Sequence, residues 1–177
     1  QHIAGSLAAT YDEATWVLTS YLIANAVVVP ASNWLSNVIG RKRYYMASVA
    51  LFTISSLFCG LAPSLTLLIV ARVAQGIGGG GLAPVTQAML IDSFAPQSRG
   101  KAMSVYGMTV ILAPMLGPLL GGYITDHFSW HWIFFINVPI GFLSLSLVQA
   151  YVDEPPLLIA ERKARWKQGI RFDYAGA

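Results

Sequence analysis

One residue of this 177-residue sequence is out of keeping with its surroundings. Arg72 stands inside the apolar run from Leu65 to Ile91, about seven residues from its start. At a rise of about 1.5 Å per residue that is roughly 10 Å from the end of a helix. An arginine near mid-bilayer costs about 2.5–3.5 kcal/mol on insertion scales, so it has to face protein or a water-filled cavity. Two roles fit it. It is a charge beside a substrate or proton pathway, or it snorkels outward or bonds backbone carbonyls as a packing device. Its counter-charge is not in the sequence. None of the eight acidic residues lies in the middle of an apolar run, and Asp92, on the same helix, is about 30 Å away along the axis. A proton path through a membrane ordinarily uses a buried carboxylate, which would have to come from outside these residues.

Other residues near Arg72 carry weaker signals. Gln75 follows it on the same helix, and Gly76-Ile77-Gly78-Gly79-Gly80-Gly81 formally matches G-x-G-x-x-G. No strand precedes the glycines and the context is an apolar helix, so a dinucleotide site is rejected. In a membrane bundle they admit a neighbouring helix, with local unwinding around a substrate as a lesser alternative. Ala113, Gly117 and Gly121 recur every four residues and share one helix face, beside Pro114, Pro118 and Gly122. Each proline removes a helical hydrogen bond and bends the axis. Such a helix suits a hinge or seal between bundles, or tight static packing. Asn25 either bonds a neighbouring helix or lines a cavity. His127 and His131 are four apart with Asp126 beside them, but no third ligand has a convincing spacing, so a metal site is not expected. Nothing resembles a nucleophile–base pair or a phosphate loop, and the lone Cys59 excludes a disulfide framework or a cysteine metal cluster. An enzyme is not expected, and neither is a cofactor.

These residues need a membrane to position them. The chain is 55% hydrophobic and 11% charged, less than half the usual charged share of roughly 25%. That excludes a soluble globular domain, a disordered chain and a nucleic-acid-binding module. A spanning helix needs about 20 mostly apolar residues. Five stretches qualify, at about 15–35, 44–61, 65–91, 102–124 and 133–152, and all are expected to be helical, because lone strands would leave backbone groups unpaired in lipid. Thr10 and Glu13 fit a capping box ahead of the first. The short links make each helix antiparallel to the one before. Ten of the eleven Lys and Arg fall on one side, in the links after spans one and three and in the tail after span five, so that side is predicted to be cytoplasmic. Residues 1–14 then form an extracytoplasmic loop, 153–171 a cytoplasmic linker containing Pro155 and Pro156, and 172–177 the start of another helix. Trp130, Trp132 and Tyr123 read as anchors at the outer interface. The sequence reads as an excerpt of a longer all-α integral membrane protein.

At this point three motifs resemble a known family. Ala113-Pro114-Met115-Leu116-Gly117-Pro118-Leu119-Leu120-Gly121-Gly122 resembles the antiporter motif of the major facilitator superfamily, G-x-x-x-G-P-x-x-G-G, with Ala113 for the first glycine. Arg72-Val73-Ala74-Gln75-Gly76-Ile77-Gly78 resembles its fourth-helix motif, R-x-x-Q-G-x-G. The stretch from Trp130 to Gly141 resembles one typical of the 14-span drug:proton antiporters of the EmrB/QacA type, with the EmrB-like branch the nearest match. The resemblance implies a major facilitator bundle in which these are helices two to six of the amino-terminal half. It places an acidic residue on the absent first helix, assigns Arg72 to proton coupling and the Gly-Pro helix to sealing the bundle interface. One departure stands out. The family's loop pattern G-x-L-A-D-R-x-G-R-R here begins at Asn33, with Asn37 in place of the aspartate, while Gly40 and Arg41 are retained. An uncharged Asn37 makes a weaker gate than an aspartate.

The expectation is therefore a secondary multidrug efflux transporter of the bacterial inner membrane. It exchanges protons for amphipathic or cationic toxic compounds and is powered by the proton gradient alone. Arg72 tunes the proton site; Asn25, Gln75, Gly76 and Gly78 line or shape the substrate path; Asn37, Gly40 and Arg41 form the cytoplasmic gate. Its partners are membrane lipid and small-molecule drugs, with a periplasmic adaptor and an outer-membrane channel implied by the resemblance to the EmrB-like branch, and no nucleic acid. The rival readings are a major facilitator transporter for one specific metabolite and a non-transporting membrane scaffold or assembly subunit.

Overall fold

The computed structural model describes residues 10–153 and 159–160. The expected loop 1–14, linker 153–171 and helix start 172–177 lie largely outside them. The described chain runs through seven helical segments: α1 (Tyr11–Ile39), α2 (Arg41–Gly60), α3 (Leu65–Gly80), α4 (Leu82–Ser93), α5 (Pro96–His127), α6 (Trp132–Phe135) and α7 (Asn137–Tyr151). Two pairs act as single rods. Gly81, between α3 and α4, keeps right-handed helical dihedrals, and so does Ile136 between α6 and α7.

The helices outrun the apolar stretches that announce them, because hydropathy ends where polar residues begin while backbone hydrogen bonding does not. At the start of α1 a reciprocal capping box holds the first turn: Glu13 N–H donates to Thr10 Oγ1, and Thr10 N–H donates to Glu13 Oε2. Pro96 opens α5 at the first helical turn, where its missing N–H costs nothing. The expected ten-residue link from Asp92 to Lys101 thereby shrinks to Phe94 and Ala95.

By length and apolarity four stretches suffice to cross a membrane: Glu13–Ile39, Leu65–Ser93, Pro96–His127 and Trp132–Tyr151. The fifth expected span, α2, is 20 residues long but less apolar. Its hydropathy is lowered by Arg41, Lys42 and Arg43 at its start and by Ser48, Thr53, Ser55 and Ser56, all four of which are buried. The whole assembly is inside-out in this sense. Its seams carry Ser, Thr and Gly, while Leu22, Ile54, Phe58, Ile111 and Phe142 point outward. Lipid tails are as apolar as these side chains, so helix contact is driven by close packing and hydrogen bonding.

The packing directions follow from paired contacts. Val17, Ala24 and Val28 of α1 lie against Arg72, Gly76 and Gly80, so α1 and α3 run parallel. Ser48 and Ser56 of α2 lie against Gly78 and Gln75, so α2 runs antiparallel to α3. Lys42, Tyr45, Ser56 and Gly60 meet Gln149, Ser144, Asn137 and Phe135, so α2 is also antiparallel to the α6–α7 rod. At the end of the bundle away from Arg41, a core of Val17, Cys59, Ala62, Leu68, Ala71, Trp130 and Phe134 closes the seams.

α5 stands apart. None of its residues is buried, and Tyr106 Oη donates to the Ala83 carbonyl at 3.4 Å.

Candidate functional site

Arg72 sits on α3 in the wall shared with α1, α2 and α6. It does not reach for the surface. Nε donates to the Val17 carbonyl at 3.0 Å, and Nη1 donates to Gln75 Oε1 at 2.7 Å. The guanidinium carbon lies 4.2 Å from the centre of the Tyr21 ring and 5.8 Å from that of Phe134. A hydrogen bond to a charged donor contributes about 1.5–3 kcal/mol, and a desolvated cation–π contact about 2. These neutral partners therefore offset the insertion cost without a carboxylate. The missing counter-charge inferred from sequence is not needed to keep Arg72 in place. Among the described residues Arg72 makes no ion pair, and three of its five N–H groups have no hydrogen-bond partner.

Gln75 is the hub. It is 1% exposed, and one turn after Arg72 its amide reaches across to α2. Oε1 accepts from Arg72 and from Cys59 Sγ at 3.9 Å; Nε2 donates to Ser56 Oγ. Ser56 Oγ also accepts from Asn137 Nδ2 at 3.3 Å. A polar chain thus runs from α3 through α2 to α7. On the other flank Asn25 Nδ2 donates to Tyr21 Oη at 3.3 Å, which steadies the ring under the guanidinium. Asn25 therefore binds within its own helix. Tyr21, Ser56 and Asn137 are members of this site that the sequence reading passed over. Tyr21 shares a helix face with Asn25, one turn away, but only the crossing of α1 over α3 makes either relevant.

The glycines after Gln75 are packing positions rather than the lining of an open path. A Cβ on Gly76 would lie 2.6 Å from the Tyr21 carbonyl oxygen, and one on Gly80 would lie 2.8 Å from that of Asn25. On Gly78 it would lie 2.6 Å from the Phe52 nitrogen. Gly76 and Gly80 let α1 approach, and Gly78 lets α2 approach. The helix runs unbroken through Gly76 to Gly80 and is interrupted at Gly81, whose N–H turns to the Gly79 carbonyl while its dihedrals stay right-handed. Gly141 plays the same part for α7, where an added Cβ would overlap the Thr53 side chain.

At the basic end Gly40 joins α1 to α2 with φ 107°, a left-handed value that glycine adopts without strain. Its N–H closes α1 on the Ser36 carbonyl. Arg41 then pairs with Asp92 of α4 and donates to the Ala88 carbonyl at 3.2 Å. Asn37 is half-buried on the last turn of α1. Asp92, too far along its own helix to pair with Arg72, is the mate of Arg41 instead. The short links already bring the ends of spans one and three to the same side, which was the available signal.

The antiporter-type face of α5 is elsewhere. Ala113, Pro114, Gly117 and Pro118 are exposed, Gly121 and Gly122 half-exposed, and nothing lies within 4 Å of a Cβ placed on any of the three glycines. The tight packing expected of this face is not made by the described residues. His127 stacks on Tyr123 and His131 on Trp130, with His131 Nδ1 2.9 Å from Ser129 Oγ. An apolar groove of about 280 Å³ between α2, α4 and α7 is bordered by Tyr45, Met89, Phe94, Val148 and Tyr151, and by none of the residues expected on a substrate path.

The sequence profile described as Major Facilitator Superfamily matches residues 1–172. The chain belongs to the Major Facilitator Superfamily. This places it among multi-pass membrane transporters rather than enzymes. Within the superfamily it is 46% identical over 146 residues to the multidrug export protein EmrB of Haemophilus influenzae, covering 82% of this chain and 28% of the relative. It is 48% identical over 145 residues to the probable multidrug resistance protein EmrY of Escherichia coli K12, with the same coverage. The fatty acid resistance protein FarB of Neisseria gonorrhoeae is 46% identical over 142 residues, covering 80% of this chain and 28% of the relative. The chain thus spans under a third of the length of these EmrB-like relatives. In fold it is similar to the crystal structure of a bacterial homologue of the human lysosomal transporter Spinster in an inward-facing, unoccupied conformation. The TM-score is 0.65 at 24% identity, covering 87% of this chain and 38% of that one.

Proposed function

We propose that the intact protein is a multidrug exporter of the bacterial inner membrane that exchanges inward-moving protons for outward-moving amphipathic, apolar or cationic compounds by alternating access. The observation that carries the coupling is Arg72: a guanidinium inside the bundle, stabilised by neutral acceptors, with N–H groups to spare for a titrating carboxylate. Such a group stays charged throughout the cycle and lowers the cost of ionising an acid brought beside it. Gln75 holds the guanidinium in orientation. The Gly40 turn and the Arg41–Asp92 pair form the cytoplasmic gate, and the open face of α5, at Gly117, Pro118, Gly121 and Gly122, meets the other half of the transporter. The relatives' names, multidrug export and fatty acid resistance, support small molecules as the substrates, and a fatty acid is itself amphipathic. The proton gradient is the sole energy source, with no cofactor. A periplasmic adaptor and an outer-membrane channel complete the export route.

The test is Arg72→Ala in the full-length protein, reconstituted in proteoliposomes with an imposed pH gradient. We expect normal insertion and a fall in gradient-driven dye export of at least about tenfold, equivalent to roughly 1.4 kcal/mol. Export at the parental rate refutes the coupling role.

A further inference from the structure

The proposed function uses Arg72 and Gln75, but the hydrogen-bond chain does not stop there. We propose that Asn137 is a positioning residue for Arg72: acting through Ser56, it fixes which end of the Gln75 amide faces the guanidinium. This deepens the export reading above and rests on it.

The argument is one of donors and acceptors. A glutamine amide fits its site in two orientations of nearly equal shape. With Oε1 toward Arg72 the contact is donor to acceptor; reversed, two sets of N–H groups would face each other. At the far end of Gln75 the partner is Ser56 Oγ, wholly buried, and a hydroxyl can either accept or donate. What commits it to accepting is Asn137, whose Nδ2 points into the same oxygen at 3.3 Å. Two amide nitrogens converge on Ser56, so Gln75 presents its nitrogen there and its oxygen to Arg72. Bonds in such a chain polarise one another, more so where water is excluded. The titratable groups that face this chain are Tyr21 from α1 and Cys59 from α2. Segments α6 and α7 contain no carboxylate, lysine or histidine. Asn137 is thus an unionised residue whose donor group acts on the proton path from a third helix.

Asn137→Asp tests this with almost no change of shape. The new carboxyl, when ionised, only accepts; Ser56 then turns its hydroxyl toward it, and a negative charge sits two hydrogen bonds from the guanidinium. The full-length protein is reconstituted in proteoliposomes, and gradient-driven ethidium export is followed across a range of pH. Thr53→Ala, on the same seam of α2 and α7 but outside the chain of polar groups, is the control for mere packing. We expect the Asp variant to shift the pH of half-maximal export by about one unit or more, with the Thr53 variant unshifted. An Asp variant with the parental pH profile overturns the proposal, and so does an equal shift in the Thr53 variant. If the Asp variant does not insert, Ser56→Ala is read by the same criterion: a shifted profile supports the role and an unshifted one overturns it. A parent that shows no gradient-driven flux refutes the export reading instead.

Discussion

Replacing Gly76 by alanine isolates the price of one methyl group in the α1–α3 seam. The added Cβ would stand 2.6 Å from the Tyr21 carbonyl oxygen and 2.8 Å from the Ala24 Cβ, whereas ordinary contact begins at 3.4 Å. The helices must part by about 0.8 Å there, and the first obstacle is backbone, which cannot rotate away. Overpacking of this kind costs about 1–3 kcal/mol. Against it stands the helix propensity of alanine, about 1 kcal/mol better than glycine. The net expectation is a loss centred near 1 kcal/mol and reaching about 2 kcal/mol, with weakening of the Arg72–Val17 bond one turn away. Gly79→Ala is the internal control. Its Cβ would meet only the tips of Tyr21, Asn25 and Phe52 at 3.1–3.4 Å, side chains able to yield, so the propensity gain leaves it near neutral. The assay is thermal unfolding of the full-length protein in detergent, followed by loss of the monodisperse peak. A Gly76 variant as stable as the parent, or a Gly79 variant that suffers as much, refutes the reasoning.

Three further outcomes are expected. Gly141→Ala should impair insertion or folding through its overlap with Thr53, and Thr53→Gly should restore it; accumulation of folded protein in the membrane checks both. Arg41→Glu and Asp92→Arg should each destabilise the closed basic end, and the double exchange should recover about 1 kcal/mol of coupling, measured by accessibility of an introduced cysteine in a double-mutant cycle. Cys59, wholly buried, should resist a membrane-permeant maleimide in the folded protein and react once it is unfolded in SDS, read by mass spectrometry of its peptide.

How much of this was legible in the sequence depended on distance along the chain. Arg72 was legible because a charge in an apolar run is costly wherever it finally packs. The helices were legible for the same reason, and Thr10 and Glu13 marked where the first begins; the start of α5 at Pro96, ahead of its apolar run, was not. The glycines were legible as a place of close approach, though not which neighbour each admits: Gly76 and Gly80 serve α1, and Gly78 serves α2. The partners of Arg72 were not legible. Val17 and Tyr21 precede it by about fifty residues, Ser56 lies 19 residues before Gln75, and Asn137 is 81 residues beyond Ser56. No periodicity within a helix encodes such meetings; they follow from how the rods cross. The small face of α5 shows the converse case. Its spacing was plain, but no described residue packs into it.

The joint at Gly40 has a mechanical consequence. Two long rods share a single-residue elbow, and Val17 stands 22 residues before Ile39, the end of α1 at the elbow, or about 33 Å from it along the axis. A swing of about 5° at the elbow carries Val17 through about 3 Å, enough to part its carbonyl from Arg72. The lever turns an adjustment too small to disturb the fulcrum into the making or breaking of a bond at the opposite end of the rod.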